Sequence, residues 1–386
     1  MHTVFGDMFI SLSLSSALQV SILGFIGGVL SGFIGSGGAF FMTPGMMNLG
    51  VPGVVAVGSN ITHKFGKAMV GAKKHGELGN VDKRLGIFLI LTSFIGIRIA
   101  VWINSMLFKS GGGDGHGSGG SAASNLYISM VFIGILTVVA VSMLRDALRS
   151  GDGEGDQGPS RKIADFISRL NLPPYFFFPA ADVRVSLWIL MAVGLATGYL
   201  AGTIGVGGFI GVPAMIYVFG VPTAVATGTE LYLAMFMGAF GAINYAYLGF
   251  VDIRLTILLY MGSLIGIYVG AYGTKVVKEV LIRIVTGTII LLCVLSRGIA
   301  VPVYLRQLGW IQMNPGWDGY FNTASKFMLF AAGGTGTLII LYNVIRAYRQ
   351  RRHIEHRLRK IQEAPASSTV CLEVPKANKI EKAAVN

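Results

Sequence analysis

Ser31-Gly32-Phe33-Ile34-Gly35-Ser36-Gly37-Gly38 and Ala201-Gly202-Thr203-Ile204-Gly205-Val206-Gly207-Gly208 lie 170 residues apart and share one pattern of small residues around a glycine cluster. Each cluster interrupts an apolar run, 18–50 and 184–219, that is much longer than the roughly 20 residues a spanning helix needs. The same offset pairs Gly50-Val51-Pro52 with Gly220-Val221-Pro222 and Ala56-Val57-Gly58-Ser59 with Ala226-Thr227-Gly228-Thr229. It also pairs Gly71 with Gly241, Val81-Asp82 with Val251-Asp252, and Arg84-Leu85 with Arg254-Leu255, while only Pro44 and Pro213 slip, by one residue. One register held over so long a stretch is a duplication.

Composition says what surrounds the duplicated unit. The 386-residue chain is 53% hydrophobic and 13% charged, with a mean hydropathy of +0.65; an ordinary soluble domain carries roughly 25% charged residues. Fifty-four glycines follow no three-residue period, which excludes collagen; in long apolar stretches they let helices approach closely. The chain therefore reads as an all-α polytopic membrane protein. Nine apolar runs fall near 18–50, 53–74, 85–108, 126–147, 184–219, 222–248, 253–274, 280–300 and 325–347. Cys293 and Cys371 support neither a disulfide framework nor a zinc site. The first 16 residues contain no Lys or Arg and do not resemble a signal peptide.

The net charge of +13 raises a nucleic-acid reading, but the charges sit in the gaps between apolar runs and in the tail, as in cytoplasmic loops. Their distribution also decides how the two long runs enter the membrane. If all nine runs cross, 14 basic residues fall on each side, a tie that the positive-inside rule disfavours. If the two glycine-broken runs dip in and return, one side holds 23 and the other only Lys109, Arg254, Arg297, Arg306 and Lys326. Re-entrance follows, with the N-terminus outside and the tail in the cytoplasm.

Each unit then comprises a re-entrant broken helix plus three transmembrane helices. Three is odd, so the second unit enters inverted, an architecture that recurs in secondary transporters. The expected organisation is a first membrane repeat over 17–147, a cytoplasmic linker over 148–183, a second repeat over 184–300, an outer loop with one extra C-terminal transmembrane helix over 301–347, and a basic cytoplasmic tail over 348–386. Ile163, Phe166, Ile167 and Leu170 have the spacing of an amphipathic helix on the membrane surface. Residues 111–121 read as a flexible outer linker. Asp152, Glu154 and Asp156 imitate the start of a calcium loop, but Ile163 stands where the closing Glu belongs.

Gly-x-x-Ser-Gly-x-x-Gly-x-Gly-Gly (28–38), Pro44, Leu49-Gly50-Val51-Pro52, Gly58-Ser59-Asn60 and Gly79-Asn80-Val81-Asp82 resemble the signature of the sulfite exporter TauE/SafE family, and the second copy carries it again. The resemblance covers roughly 20–147 and 184–300. It implies export of sulfite and organosulfonates across the bacterial cytoplasmic (inner) membrane. The glycine-rich outer loop, the long inner loop, the extra last helix and the basic residues of the second span depart from that pattern.

Two sets of residues are candidates for holding an anion. The half-helices that begin near Gly38 and Gly208, after the breaks at Gly35-Ser36-Gly37 and Gly205-Val206-Gly207, would aim free amides and a positive dipole end at the membrane interior. The alternative is that these glycines serve only close packing. The second span carries Ser59, Asn60, Thr62, His63, Lys64 and Lys67; intramembrane charge is costly and marks function by default. Asn60, Lys64 and Lys67 share a helix face, although Lys67 is also placed to snorkel, and His63 reads as a packing histidine. At the repeat-equivalent positions Lys64 and Lys67 become Ala234 and Met237, Ser59 becomes Thr229, and Asn60 becomes Glu230. Glu230 is either a carboxylate at a helix start or a group for proton coupling or for pairing with a lysine. Arg98 is a further candidate.

These residues support a secondary transporter of small anions, the sulfur chemistry coming from the resemblance alone; a passive anion channel or a permease for another small anion is the alternative. The motifs of an enzyme, a nucleotide-binding loop and a cofactor site are not found in the sequence. Expected partners are the anionic substrate, lipid (seven basic residues lie between Arg346 and Lys360, suited to anionic headgroups), and no nucleic acid; a homo-oligomer is compatible with the sequence. Epitope tags at Asn80, at Gly155 and after Lys360 should report the cytoplasm, and a tag at Gly115 the outside. Opposite sides for Asn80 and the tail would overturn the charge count.

Overall fold

The computed structural model describes residues 12–34, 38–110, 118–149, 172–205, 207–277 and 279–363. Its first half runs through α1 (Leu14–Ile34), α2 (Ala39–Asn48), α3 (Gly53–Glu77), α4 (Lys83–Ser110) and α5 (Ser118–Arg149). A two-stranded hairpin, β1 (Tyr175–Phe178) and β2 (Val183–Ser186), leads into α6 (Leu187–Ile204). The second half continues with α7 (Gly208–Pro213) and a π-helical turn (Ala214–Val218), then α8 (Thr223–Tyr247), α9 (Ile253–Val276), α10 (Glu279–Gln307) and α11 (Trp317–Glu363). Moved back by 170 residues, α8 coincides with α3 end for end. Both tight turns repeat too: Gly50 and Gly220, and Gly79 and Gly249, all have positive φ, the left-handed position that ends a helix cheaply only with glycine.

The exterior is that of a membrane protein. On α4, Ile87, Leu91, Ile95, Ile99, Trp102 and Met106 are exposed at helical spacing, an apolar face with hydrocarbon as its natural solvent. Among the described residues, seven helices are long and apolar enough to cross a membrane: α1, α4, α5, α6, α9, α10 and α11. α3 and α8 have the length, 25 residues each, but carry Lys64, Lys67 and Glu230 and pack on each other in the interior.

Glycine contacts fix the directions of the helices. Gly24, Gly28 and Gly32 of α1 lie against the backbone of Leu259, Ser263 and Ile267 in turn, and Gly262, Gly266 and Gly270 of α9 lie against Ser21, Phe25 and Val29. The two helices are parallel, and a Cβ on Gly24 would come within 2.6 Å of the Leu259 carbonyl oxygen. The equivalent pair, α4 and α6, repeats this: Gly194 meets Leu89, Gly198 meets Ser93 and Gly202 meets Ile97. By contrast, α3 and α8 are antiparallel, Ile61 meeting Gly241, Phe65 meeting Gly238 and Leu231 meeting Gly71. Small residues at four-residue spacing allow this approach, where dispersion and Cα–H···O contacts substitute for a hydrophobic force.

These directions show the first long run turning back on itself. α9 follows α8 through a tight turn and α8 opposes α3, so α1, parallel to α9, runs the same way as α3. The chain between them must come back, and α2 does so, with Gly38 and Met42 against Gly27 and Gly45 against Leu23. The shape differs from a symmetrical dip of two half-helices. The entering arms, α1 and α6, are 21 and 18 residues long, whereas α2 has 10 and α7 only six before its π turn. Two causes stand out: the glycine stripe of α1 is matched along its length by α9, and Pro213, lacking an amide donor, ends α7.

Other expectations need adjustment. Gly35, Ser36 and Gly37, residues 111–117 of the outer linker, the amphipathic segment at 163–170 and the acidic residues near 152–156 lie outside the described residues. Residues 118–121 already wind into α5. The end of the 148–183 linker is the hairpin, where Tyr175-Phe176-Phe177-Phe178, a β-favouring aromatic run, pairs antiparallel with Val183–Ser186. Phe176 and Phe178 pack on Phe88 of α4 at 5.1 and 6.1 Å, and Asp82 accepts from the Ala181 amide at 3.1 Å.

Arg297, read above as a charge on the outer side, is 1% exposed. It donates to Ser325 Oγ of α11 (3.3 Å), to Tyr304 (3.4 Å) and to the Met47 sulfur (3.7 Å), beside the last turn of α2, where the dipole favours a cation. Asn48, Ser296 and Ser325 bond among themselves, and Gly333 of α11 lies against the Phe41 ring. The helix outside the duplication is thus fastened to the first re-entrant segment. For the parallel pair, Gly28→Ala should lower thermal stability by about 1–3 kcal/mol through overpacking. Gly134→Ala, where an added Cβ meets nothing within 4 Å, should leave it unchanged or raise it by up to about 1 kcal/mol. Thermal unfolding in detergent compares the two.

Candidate functional site

The broken end of α6 lies against the centre of α3. Helix termini leave carbonyls unpaired, and inside a membrane each one must find a protein donor. Gly205 turns left-handed (φ +76°) and its amide caps Ala201. Tyr245 of α8 donates to Gly202 O at 2.6 Å. Asn104 of α4 reaches Thr203 O at 3.3 Å while donating to the Tyr245 hydroxyl at 2.7 Å. Thr43 of α2 donates to Ile204 O at 3.0 Å. Asn60 then joins the group, its Nδ2 donating to Thr43 Oγ1 (2.8 Å) and to Ala39 O (3.0 Å). Both re-entrant segments are therefore tied to α3 through one hydrogen-bonded cluster.

Lys64 stands one turn further along α3. A Cβ on Gly207 would lie 3.2 Å from its Nζ, so the absence of a side chain there gives the lysine its place at the α6–α7 break. Lys64 Nζ is 3.9 Å from Glu230 Oε1, with side-chain exposures of 14% and 4%. That separation makes an ion pair but exceeds a hydrogen bond. Neither oxygen of Glu230, nor Asn60 Oδ1, accepts a hydrogen bond from the described residues. Glu230 rests against Gly211, where any Cβ would overlap its Oε2. Gly205 borders Asn60 and Thr43. The residues brought together are thus Asn60, Lys64, Gly205, Gly207 and Glu230.

The remaining predicted residues lie elsewhere. Lys67, partly buried, donates to Ser31 Oγ of α1 at 2.9 Å, and so points into the protein instead of snorkelling to the surface. Ser59 and Thr229 are exchanged stitches: each hydroxyl accepts, at 3.0 Å, the amide of the aspartate that opens a helix in the other half, Asp252 and Asp82 respectively. Gly38 is packed onto Gly27, and Gly208 opens an α-helix of only six residues, whose dipole is correspondingly small. His63 bonds Ser263 at 2.7 Å and leans on the Tyr260 ring, a packing role. Arg98, on the exposed face of α4, reaches Asn244 at 2.7 Å.

Thr43, Asn104 and Tyr245 were not singled out from the sequence, and Ser31 only as part of the repeated stretch. Asn104 had a usable signal, an amide inside an apolar span; Thr43 and Tyr245 show their role only once α6 is seen ending beside them, and Ser31 only once α1 is seen beside Lys67. Chemically the cluster offers one ammonium, one carboxylate and an amide in a desolvated setting, enough to bind a small anion or to exchange a proton. Among the described residues, no three His, Cys, Asp or Glu side chains converge as a metal site would require.

Known proteins place the chain in context. It is 24% identical over 273 residues to the Probable membrane transporter protein YdhB of Bacillus subtilis (strain 168), covering 69% of this chain and 94% of the relative. With YjnA and YunE of the same organism, also described as probable membrane transporter proteins, identity is 23%. Those matches cover 66% and 70% of this chain and 89% and 93% of the relatives. No solved structure matches. The family profile described as Sulfite exporter TauE/SafE matches residues 20–297, most of the chain and nearly all of the duplicated region, and the protein belongs to that family.

Proposed function

We propose that this membrane transporter moves small sulfur-containing anions, namely sulfite, thiosulfate or organosulfonates, across the cytoplasmic membrane, and that it exports them by alternating access. The observation that carries the proposal is Lys64: a cation midway along an interior helix, 14% exposed, set where the broken helix of the other half offers only glycine. A largely buried ammonium with a single carboxylate neighbour at 3.9 Å is under-coordinated, since it has three donors to satisfy, and the oxygens of a sulfur oxyanion supply acceptors. The family description supports sulfur as the element. The antiparallel packing of α3 on α8 supports two halves inverted in the membrane, and the uneven distribution of basic residues supports an N-terminus outside and a basic tail in the cytoplasm.

Proteoliposomes loaded with sulfite, thiosulfate, sulfate or a short sulfonate test the substrate class. Saturable transport of at least one of them is expected, and transport of an unrelated solute with none of these would defeat the reading. Within that assay, Lys64→Ala should weaken anion affinity roughly ten- to hundred-fold, because a charge-assisted contact is worth about 1.5–3 kcal/mol. Lys67→Ala should also weaken it, and Arg98→Ala should weaken it least. Unchanged affinity in both normally inserted lysine variants would leave Asn60 and backbone amides as the anion's partners.

A further inference from the structure

Glu230 faces Lys64 and interacts with little else. Its side chain is 4% exposed, its carboxylate occupies the space that a side chain on Gly211 of α7 would fill, and it accepts no hydrogen bond from the described residues. The equivalent position in the first half is Asn60, neutral and bonded to Thr43 and Ala39. The duplicated scaffold thus holds an amide on one side and an acid on the other. Building on the anion-transport reading above, we propose that Glu230 is a tethered competitor for the anion at Lys64, and that each anion bound is accompanied by a proton taken up on Glu230. The protein is then a proton–anion cotransporter, and net export follows where the outward anion gradient exceeds the inward proton gradient.

The argument is charge conservation in a poorly solvated place. With Lys64 charged and Glu230 ionised, the pair is neutral. A monovalent anion arriving at Lys64 would leave a net negative charge beside the displaced carboxylate, and like charges at close range in a poorly solvated interior repel strongly. A proton on Glu230 restores neutrality, and the anion then replaces the carboxylate as the lysine's counter-ion. No bond other than O–H forms, and the proton comes from the side to which the site is open. The surroundings provide no substitute. From α3, Lys64 faces Glu230, His75 lies near the start of α8 against Gly228, and Lys67 is held by Ser31. From the turn before α4, Asp82 is engaged with the amides of Leu85 and Ala181, and from α4 Arg98 is held by Asn244 of α8. α7 and its π turn carry no charged side chain, Tyr217 being their one titratable group, and α6 carries Tyr199 alone.

The test uses methanesulfonate, a monovalent anion that carries no titrating proton of its own. Purified full-length protein, mixed with it in weakly buffered solution containing a pH indicator, should take up about one proton per anion bound wherever Glu230 starts ionised. Affinity should then fall by up to about tenfold for each unit of rising pH. Glu230→Gln should bind without proton uptake and without that pH dependence. In proteoliposomes, a gradient acidic on the methanesulfonate side should drive its accumulation by the unmodified protein, a measurement that stands even if the variant does not fold. Binding by the unmodified protein with no proton uptake, accumulation indifferent to the gradient, or uptake persisting in Glu230→Gln would each overturn the proposal while leaving anion transport intact. Failure of the unmodified protein to bind any sulfur anion would instead remove the reading beneath it.

Discussion

The end of α6 presents the carbonyls of Gly202, Thr203 and Ile204 to the interior of the fold, and they accept from Tyr245, Asn104 and Thr43, side chains of three different helices. An unpaired carbonyl in hydrocarbon costs several kcal/mol, so a helix can break within a membrane only where neighbours deliver donors. That requirement places α8, α4 and α2 around the break. It also brings α3 alongside, because Asn60 completes the chain of donors through Thr43. Lys64 and Glu230 then face each other one turn away. The charged pair sits where it does because the broken helix needed polar company.

Packing gives the halves an interleaved form. α1 of the first half is matched to α9 of the second by facing glycines, and α4 of the first to α6 of the second. Ser59 and Thr229 cross the same boundary to hold Asp252 and Asp82. A movement that alternately opens the two sides would shift these mixed pairs as units instead of separating one sequence repeat from the other. α11 adds an asymmetry, since it braces α2 through Ser325, Asn48 and Gly333, while α7 passes into a π turn after Pro213.

Much of this was legible in the sequence, for physical reasons. The duplication was visible because glycines that permit close approach cannot be replaced, and they keep their register from Gly32 and Gly202 through Gly79 and Gly249. Lys64 and Glu230 stood out because charge in an apolar run is rare. Ser59 and Thr229 were noticed by their motif, but their partners lie 193 and 147 residues away, a distance that local pattern does not reach. Thr43 and Tyr245 look like ordinary residues of apolar helices until the carbonyls they cap arrive from elsewhere. The hairpin at 175–186 was missed because Phe176 to Phe178 continue an apolar composition with no alternation.

The pairing of α1 with α9 has a consequence for biosynthesis. Gly32 finds its partner backbone at Ile267, so α1 must wait in the bilayer until some 235 more residues have been made, roughly 12–47 s at ordinary elongation rates. Lys64 likewise precedes Glu230 by 166 residues, about 8–33 s on the same basis, during which its ammonium has no carboxylate to face. The nascent first half is therefore an unfinished object, open along a glycine groove and carrying uncompensated charge. Ribosomes that stall in the second half would leave such a species in the membrane, where chaperones and proteases that recognise intramembrane charge would meet it first.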